Sequence, residues 1–324
     1  MMRAVLFVPR PEGAVPEVRE VPTPVPGPGE VLVKVHAAGL NRGEMAIRRA
    51  LTTGAPQPTG IEFAGEVAAL GIGTSKRKMG ERVMGHWRGG QAEYVAVDER
   101  LLVPVPERLS WVEAGAWLNV FCTAHDALVT NAGLKAGESV LVNAASSGIG
   151  VAALQIARLI GASPVVGSSR SAVKLQKLRD YGLQVALDAA APPDAVKKAT
   201  GGRGVDVLID SVGGPALQRN LESMAILGRI VSVGRLAANS GEIDLDLLAR
   251  NRVKLIGVTF RTRTLEERIA CVQRCAADLL GPLAEGRLQP VIQRTFAMAD
   301  IQAAHDSMER DENIGKLVIE IARP

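Results

Sequence analysis

Residues 140–157 read VLVNAASSGIGVAALQIA. Three apolar residues of strand type meet a run of small residues, and apolar residues at helical spacing follow. This order predicts a strand, a tight turn and the start of a helix, which is the geometry that binds the pyrophosphate of a dinucleotide. Backbone N–H groups at the start of such a helix face the phosphates, and only small side chains let the ligand come that close.

The turn departs from the usual GxGxxG pattern of dinucleotide-binding loops. Ala145 and Ser147 stand at the first two glycine positions, and Gly150 keeps the third. Small residues still fill the turn, so the sequence predicts a dinucleotide site despite the departure. The residues expected at the phosphates are Ser147, Gly148, Ile149 and Gly150.

The composition is that of a globular protein with room for two domains. The chain has 324 residues, of which 47% are hydrophobic and 22% are charged, and its formal net charge is +4. Such values are ordinary for folded proteins, and a chain of this length can bury two cores. Glycine and polar residues interrupt every long apolar stretch, so no membrane span is expected. The N-terminal apolar run is too short for a signal peptide, and a cytoplasmic protein is the expectation.

Neither the cysteines nor the basic residues indicate a special class of protein. The cysteines are Cys122, Cys271 and Cys275, and the last two share one helix face. Buried free thiols explain them better than a metal pair, since no histidine or third cysteine lies nearby in sequence. Nucleic-acid binding requires aromatic platforms beside basic residues. Aromatic residues make up only 3% of the chain, so no nucleic-acid partner is expected.

The pattern of the chain changes near residue 111. Before it, short strand-like segments separated by glycine predict a β-rich domain, in which the proline-rich residues 9–28 form an extended connection. From residue 139, strand and helix patterns alternate, which predicts a parallel doubly wound sheet with helices on both faces. The expected strands lie at 140–143, 164–167, 185–187, 205–209, 229–233 and 254–258, and a last strand at 315–321 must join some sheet. The expected helices lie around 111–128, 149–160, 171–181, 192–200, 215–226 and 265–286.

Sequence markers spread along the whole chain carry a resemblance to a known superfamily. They are PGEVLV (28–33), AGLNR (38–42), GGQAEYV (89–95), the stretches 118–128 and 144–157, DSVGG (210–214) and IGKLV (314–318). With them the chain resembles the zinc-independent quinone oxidoreductase (zeta-crystallin-like) branch of the medium-chain dehydrogenase/reductase superfamily. The resemblance implies an α/β fold in which a Rossmann doubly wound parallel sheet is inserted into a GroES-like β-rich catalytic domain. The implied bounds are 1–119 for the first part of the catalytic domain, 120–258 for the Rossmann NADPH-binding domain and 259–324 for the C-terminal return that completes the catalytic domain. A homodimer is expected by analogy.

The positions that bind catalytic zinc in related enzymes carry other residues here. Zinc-dependent members use a cysteine, the histidine of a GHE motif and a further cysteine or histidine, and the matching residues are Asn41, Ile61 and Asn119. One apolar side chain and two neutral amides cannot form a tetrahedral site of nitrogen and sulfur ligands. We therefore expect no metal, and no alcohol dehydrogenation of the kind in which zinc polarises an alkoxide.

The end of the second strand of the doubly wound sheet indicates NADPH. An NAD-selective domain carries an acidic residue there, which accepts a hydrogen bond from the ribose 2′-OH. This segment contains no carboxylate and instead has Ser168, Ser169, Arg170 and, one helical turn later, Lys174. Arginine binds phosphate through two parallel hydrogen bonds. Solvated charges are the alternative, but cations are unfavourable near a helix start, so a bound 2′-phosphate explains them better.

The resemblance adds further positions around the cofactor. The residues that match cofactor-lining positions are Asn41, Thr123, Ser211, Val233, Gly234, Thr259 and Phe260. Lys316, on the last strand, either approaches the phosphates or is an exposed strand lysine, and the sequence leaves both alternatives open.

The activity that the resemblance implies is hydride transfer from NADPH to a small molecule, a quinone or a related activated carbonyl or alkene such as an enone. A quinone spreads charge over two oxygens, so neutral donors suffice, and Asn41 and Asn119 are the candidate catalytic residues. Asn41 is equally well explained as a turn residue after Gly39. A zinc-free enoyl reductase is the alternative among enzymes. A non-enzymatic NADPH-bound protein, crystallin-like or RNA-binding, is the alternative outside them.

Overall fold

The computed structural model describes residues 1–321 and shows two compact units. One comprises Met1–Asn119 and the residues from Leu265 on, and is called the split unit below; the other, the central unit, comprises Val120–Thr264. The predicted boundary after residue 258 falls earlier than this division. The central unit includes Arg263, whose guanidinium binds the carboxylate of Asp126 in the same unit.

Strands and helices follow one another along the described chain in an order that separates a β-rich part from an alternating part. The strands are β1 (Met2–Val8), β2 (Val15–Val21), β3 (Glu30–Leu40), β4 (Gln57–Pro58), β5 (Phe63–Leu70), β6 (Arg82–Gly85), β7 (Tyr94–Asp98), β8 (Leu102–Pro104), β9 (Val140–Val142), β10 (Val165–Ser169), β11 (Val185–Asp188), β12 (Val205–Asp210), β13 (Met224–Ser232), β14 (Lys254–Gly257), β15 (Ile292–Ala297) and β16 (Lys316–Glu320). The α-helices are α1 (Arg42–Ala50), α2 (Trp111–Gly115), α3 (Leu118–His125), α4 (Gly148–Ile160), α5 (Ala172–Lys177), α6 (Pro193–Ala199), α7 (Leu217–Glu222), α8 (Leu245–Arg250), α9 (Leu265–Ala284) and α10 (Ile301–Glu309). Across residues 1–321, none of the helices has the length and apolar character needed to cross a membrane.

The central unit is built on a parallel sheet with the strand order β11-β10-β9-β12-β13-β14. All neighbouring pairs are parallel. Counted within the unit, the order is 3-2-1-4-5-6, which is the Rossmann order, and the winding reverses between β9 and β12. Leu141, Val166 and Leu208 pack in its core, as expected for strands covered on both faces. The predicted fold class is confirmed.

The split unit is built on a larger sheet with the order β15-β16-β3-β5-β6-β8, in which β7 also pairs with β3. Val31, Val33 and Val35 alternate along β3 and are buried. β16 pairs antiparallel with β3, and Leu317 lies opposite Leu40. The prediction that the last strand joins a sheet other than the nucleotide sheet is therefore confirmed.

The connection predicted to be extended over residues 9–28 is partly an edge strand, β2, which the prediction did not identify as a strand. β2 pairs antiparallel with β1, from Val8 opposite Val15 to Met2 opposite Val21. The order β2-β1-β4 puts β2 at the edge of its small sheet. An edge position tolerates Pro16, since the missing N–H then removes no bond of the ladder.

The helix predicted over residues 111–128 is broken in the structure. α2 ends at Gly115, where a Cβ would lie 2.8 Å from Ala37 O of β3, so glycine allows the helix end to approach the sheet. α3 begins at Leu118 and continues into a π-helical segment, Asp126–Asn131. The sequence pattern contained no signal for this change of helix type.

Candidate active site

The predicted phosphate-binding turn lies between β9 and α4, where the winding of the central sheet reverses. Ser147 caps α4, and its Oγ accepts a hydrogen bond from Gly150 N at 3.1 Å. Ala144 has a left-handed backbone conformation with φ of 52°, which turns the chain at the end of β9. Residues 147–150 thus form the cap and the first turn of α4, where backbone N–H groups without helical partners favour an anion.

Two glycines explain how this turn is built without the first glycines of the usual pattern. A Cβ on Gly150 would lie 2.6 Å from the carbonyl oxygens of both Ala144 and Ala145. On the neighbouring strand β10, a Cβ on Gly167 would lie 2.9 Å from the Cβ of Ala145. Glycine at 167 therefore leaves the space that the methyl group of Ala145 occupies. Ala145 can therefore stand at the first motif position because residue 167 has no side chain.

The end of β10 carries hydroxyl and basic side chains, with no carboxylate within the described segment 168–174. The predicted 2′-phosphate residues in it are Ser168, Ser169, Arg170 and Lys174; the two serines are buried and Arg170 is exposed. Ser169 Oγ lies 3.4 Å from Ser146 Oγ in the phosphate-binding turn. The structure therefore brings the end of β10 next to that turn, because β9 and β10 are adjacent parallel strands.

The ends of β12 and β13 bring together Ser211, Val233 and Gly234. Gly234 N donates to Asp210 O at 3.1 Å, and Val233 N donates to the same oxygen at 2.8 Å. A Cβ on Gly234 would lie 2.8 Å from Ser211 O, so glycine allows the two segments to touch. The Asp210 carboxylate accepts from Val212 N at 2.8 Å, and sequence reasoning gave it no role in organising this turn.

The remaining predicted cofactor residues of the central unit are Thr123, on α3, and Thr259 and Phe260, after β14. The guanidinium carbon of Arg263 lies 4.8 Å from the ring centroid of Phe260. Its Nη2 donates to Asp126 Oδ2 at 2.6 Å. Since Asp126 follows Thr123 by one helical turn, this ion pair joins the segment after β14 to the end of α3.

The split unit contains a buried group of polar side chains that we call the Lys316 cluster. Its members are Asn41, Glu62, His86, Asn119 and Lys316. The ammonium of Lys316 binds Glu62 Oε1, donates to Asn41 Oδ1 at 2.6 Å and donates to Leu40 O at 2.8 Å. The side chains of the ion pair are 4% and 1% exposed. A pair so far removed from water is tolerated only when its remaining polar groups are bonded.

Asn119 and His86 complete the cluster. Asn119 Nδ2 donates to Asn41 Oδ1 at 2.8 Å, and Asn119 N donates to Glu62 Oε2 at 2.9 Å. Burial lowers the pKa of His86, so its ring is neutral near pH 7. With the proton on Nε2, this ring donates to Asn119 Oδ1 at 2.9 Å. The amide of Asn119 is therefore held in one orientation from both ends.

The cluster corrects the predicted roles of Asn41 and Lys316. Asn41 Nδ2 donates to Gly39 O at 3.2 Å and to Glu62 Oε1 at 3.0 Å, so both amide protons are used within the cluster. Asn41 is not a turn residue either, since its backbone is extended (φ −128°) and it caps α1. Lys316 is 3% exposed, which rules out an exposed strand lysine. Its three protons have three acceptors, so the predicted contact with phosphates requires one of these bonds to break.

Two of the three positions that matched zinc ligands therefore belong to a cluster organised around an ammonium group. Within residues 1–321, no group of three or more His, Cys, Asp and Glu side chains is arranged to hold a metal ion. Sequence reasoning missed Glu62 and His86 as members. The carboxylate next to Ile61 was a readable signal, whereas nothing in the sequence linked His86 to Asn119.

Glu44 is a second buried carboxyl group beside the cluster, and it was also missed. Its Oε1 accepts from Asn41 N at 3.2 Å, and its Oε2 accepts from Gln91 Nε2 at 3.0 Å. Burial raises the pKa of Glu44 to about 7, even though the charge of Lys316 and the hydrogen bonds from Asn41 and Gln91 lower it. The negative charge of Glu62 adds to the rise.

Replacing Glu44 with glutamine is expected to change how stability depends on pH. The folded state holds the Glu44 proton more tightly than the unfolded chain, in which the pKa has its ordinary value of 4.5. This contribution is fully present below the unfolded pKa and is lost as the pH rises through about 7. Relative to wild type, Glu44→Gln should therefore gain up to about 3 kcal/mol in unfolding free energy between about pH 5 and pH 8, as measured by urea denaturation.

Glu113 provides the matched control, because it occupies the same third position of a capping box in α2 but is not buried. The unfolding free energy of Glu113→Gln should run parallel to that of the wild type over the same pH range. A Glu44→Gln curve that is also parallel would contradict the raised pKa.

Comparison with known proteins decides the family. Residues 27–107 match the alcohol dehydrogenase GroES-like domain, and residues 148–275 match the zinc-binding dehydrogenase family. Quinone oxidoreductase of Homo sapiens is 31% identical over 319 residues, which cover 93% of this chain and 92% of that protein. The chain belongs to the quinone oxidoreductase branch of the medium-chain dehydrogenases/reductases.

Two further relatives show the range of this superfamily. The spectinabilin polyketide synthase system protein NorB of Streptomyces orinoci is 33% identical over 90% of this chain, which corresponds to 13% of that protein. The structure of a mycobacterial protein complexed with NADPH aligns with 99% of this chain and 100% of that chain, at 26% identity and a TM-score of 0.89. This medium-chain dehydrogenase/reductase is thus an oxidoreductase with a nicotinamide cofactor and a small-molecule substrate.

Proposed function

We propose that this oxidoreductase uses NADPH, works without zinc, and transfers hydride to a quinone or a related activated carbonyl or alkene. The observation that carries the proposal is the donor set of the Lys316 cluster. Amides at Asn41 and Asn119 occupy positions that match zinc ligands, and the Lys316 ammonium supplies a fixed positive charge among them. An ammonium with three bonded protons cannot polarise an alkoxide as zinc does, so an alcohol is a poor substrate.

Two features of the central unit support the proposal of a dinucleotide that carries a 2′-phosphate. The start of α4 offers backbone N–H groups to a pyrophosphate, and a side chain larger than glycine at 150 would overlap the backbone beneath it. Ser169, Arg170 and Lys174 offer a hydroxyl and two positive charges to a 2′-phosphate. When bound, NADPH supplies a hydride from C4 of its nicotinamide ring. We propose that six further residues line the rest of the cofactor, namely Thr123, Ser211, Val233, Gly234, Thr259 and Phe260.

The role that we propose for the cluster is to hold one amide proton ready for the substrate. Asn119 Nδ2 uses one proton on Asn41, and its second proton has no partner among the described residues. A donor fixed in advance stabilises negative charge on a reacting oxygen without reorganising in the reaction. Asn41 is then a positioning residue, because both of its amide protons are engaged. Water supplies the one proton that, together with the hydride, completes the two-electron reduction.

The direct test is a substrate panel with the purified protein. NADPH oxidation should be fastest with a small quinone such as 1,4-benzoquinone, slower with an enone and undetectable in reverse with ethanol and NADP⁺. The rates should not change after dialysis against a chelator. Loss of activity on chelation that zinc restores would overturn the metal-free proposal, and failure of NADPH to raise the Tm would overturn the cofactor proposal.

The cofactor choice leads to a second prediction, at the end of β10. The double variant Arg170→Ser/Lys174→Ala should bind NADPH at least about 100-fold more weakly, because each of the two side chains would lose a charge-assisted hydrogen bond that contributes about 1.5–3 kcal/mol. Its affinity for NADH should not change, since NADH has no 2′-phosphate. Isothermal titration of both cofactors measures the ratio. Arg179→Ala, at an exposed arginine of the same region, is the control and should keep the wild-type preference for NADPH over NADH. An equal loss of affinity for both cofactors in the double variant would contradict the assignment of the 2′-phosphate site.

A second candidate is a zinc-free enoyl reductase, and a polyketide synthase system protein is among the relatives of this chain. This reaction also adds hydride to a polarised double bond. A crotonyl thioester in the same panel separates the two candidates. A kcat/KM for the thioester at least tenfold above that for every quinone would select the enoyl reductase.

We also propose a homodimer, as the resemblance to the family implies. The feature that favours it is β14, which is at the edge of the central sheet and carries Leu255 at 45% exposure. An exposed strand edge with apolar side chains is suited to pairing with a second copy, and sedimentation velocity measures the outcome.

A further inference from the structure

Two hydrogen bonds from backbone N–H groups shape the segment that follows β14. At its start, Val258 N donates to Ser232 O at 3.1 Å, which continues the pairing with β13. One turn of chain later, Arg261 N donates to Thr259 Oγ1 at 3.1 Å. These local bonds shape the segment, but they do not tie it to the rest of the central unit beyond β13. The side chain of Arg263 makes that connection.

The Arg263 side chain makes two contacts that a flat guanidinium can satisfy together. One face covers the ring of Phe260, with 4.8 Å from the guanidinium carbon to the ring centroid. One edge reaches Asp126 Oδ2 at 2.6 Å. The side chain of Arg263 is 19% exposed and that of Asp126 is 3% exposed. A carboxylate this far buried is costly without its cation, so the pair is strongly held.

The partner carboxylate projects from the start of the π-helical segment that follows α3. In this wider turn Ala132 N donates to Ala127 O at 2.9 Å, five residues back. Asn131 Nδ2 donates to Asp126 O at 2.8 Å and closes the segment on itself. Single π-helical turns inside α-helices are frequent at functional sites. Here the turn follows the part of α3 that carries Thr123.

We propose that Arg263 and Asp126 are a positioning pair that sets the affinity for the nicotinamide half of the cofactor. The inference rests on the proposed function, in which Thr123, Thr259 and Phe260 line the cofactor. The pair holds the two segments that carry these residues at a fixed separation, so binding does not have to order them. Without the pair, the segment after β14 loses this link to the end of α3, more of its ordering has to come from cofactor binding, and the affinity falls.

The position of the pair also predicts what it leaves unchanged. The residues proposed to bind the 2′-phosphate lie at the end of β10 and the start of α5. In the sheet, β9 and β12 separate β10 from β13 and β14, the strands next to the Arg263 segment. A ligand made of the adenosine half alone therefore does not use the segment after β14. Adenosine 2′,5′-bisphosphate is such a ligand, because it has the 2′-phosphate and lacks the nicotinamide ribose.

The experiment compares NADPH and adenosine 2′,5′-bisphosphate by isothermal titration of the full-length protein. Arg263→Gln should raise the dissociation constant for NADPH at least about tenfold. The dissociation constant for the bisphosphate should stay within about twofold of the wild-type value. The neutral double variant Arg263→Gln/Asp126→Asn removes the uncompensated charge and keeps the test available if the single variant folds poorly. It should show the same selective loss, because the connection to Phe260 is still absent.

Glu138→Gln is the control, since it removes another partly buried ion pair of the central unit, with Arg229. Glu138 precedes β9 and therefore lies at the amino ends of the parallel strands, away from the carboxyl ends that carry the proposed cofactor residues. It should lower the Tm without changing the affinity for NADPH. Wild-type protein that binds neither ligand overturns the proposed function itself. If the wild-type protein binds both ligands, two results for Arg263→Gln overturn the positioning role alone. One is an equal loss of affinity for both ligands, and the other is an unchanged affinity for NADPH.

Discussion

Replacing Lys316 with methionine is expected to lower the free energy of unfolding by about 3–5 kcal/mol, because it leaves a buried charge without its partner. The methionine has similar volume, but Glu62 then keeps its carboxylate at 1% exposure with no cation beside it. Asn41 Oδ1 loses its bond to the ammonium as well. Urea denaturation at pH 7.5, followed by circular dichroism, measures the loss.

Two further variants separate this charge effect from a loss of packing. The double variant Lys316→Met/Glu62→Gln should recover most of the lost stability, since neutral partners of similar shape are often nearly as stable as a buried ion pair. Arg250→Ala breaks the exposed Arg250–Asp246 pair and should cost under about 1 kcal/mol. A loss below about 1 kcal/mol in Lys316→Met itself would show that the ion pair contributes little.

Replacing Gly150 with alanine is expected to abolish or strongly weaken cofactor binding. The added Cβ would lie 2.6 Å from two backbone oxygens of the phosphate-binding turn, so the start of α4 must move away. Overpacking of this kind costs about 1–3 kcal/mol in stability, and the displaced N–H groups no longer face the phosphates. We expect the dissociation constant for NADPH to rise at least about 30-fold, which corresponds to about 2 kcal/mol.

Gly281 provides the matched control, because it lies inside α9 and a Cβ there would meet nothing within 4 Å. Gly281→Ala should leave NADPH binding unchanged and raise stability by up to about 1 kcal/mol, since alanine favours the helix. Isothermal titration and urea denaturation of both variants measure the contrast. Unchanged NADPH affinity in Gly150→Ala would mean that α4 does not hold the cofactor.

Much of the central unit could be predicted because its signals are local. The apolar run before the small residues at 144–150 predicts β9, the turn and α4 within a few residues of the observed bounds. The strand order came only with the family resemblance, since alternating patterns alone do not say which strands are neighbours. β2 was missed for a different reason: prolines hide a strand at a sheet edge, where they cost no ladder bond.

The candidate site was predicted less completely because its decisive contacts join distant parts of the chain. Lys316 and Glu62 are 254 positions apart, and no periodicity links them. Asn41 was singled out from the sequence, but the role that we propose for it depends on how many of its amide protons are already bonded. Asp126 and Arg263 are 137 positions apart, and a lone acidic residue after a histidine on a helix gave no reason to seek a partner.

The place of Lys316 in β16 has a consequence for how the protein is made. Glu62 leaves the ribosome long before Lys316, so the nascent split unit carries a carboxylate that cannot yet be buried. Until β16 is synthesised, β3 also lacks its neighbour on that side, and an unpaired strand edge invites aggregation. The central unit, by contrast, has all of its strands between residues 140 and 257, so its sheet does not depend on β16. Before β16 is synthesised, the chain therefore exposes an unpaired strand edge and a carboxylate without its cation, and chaperones and proteases can act on both.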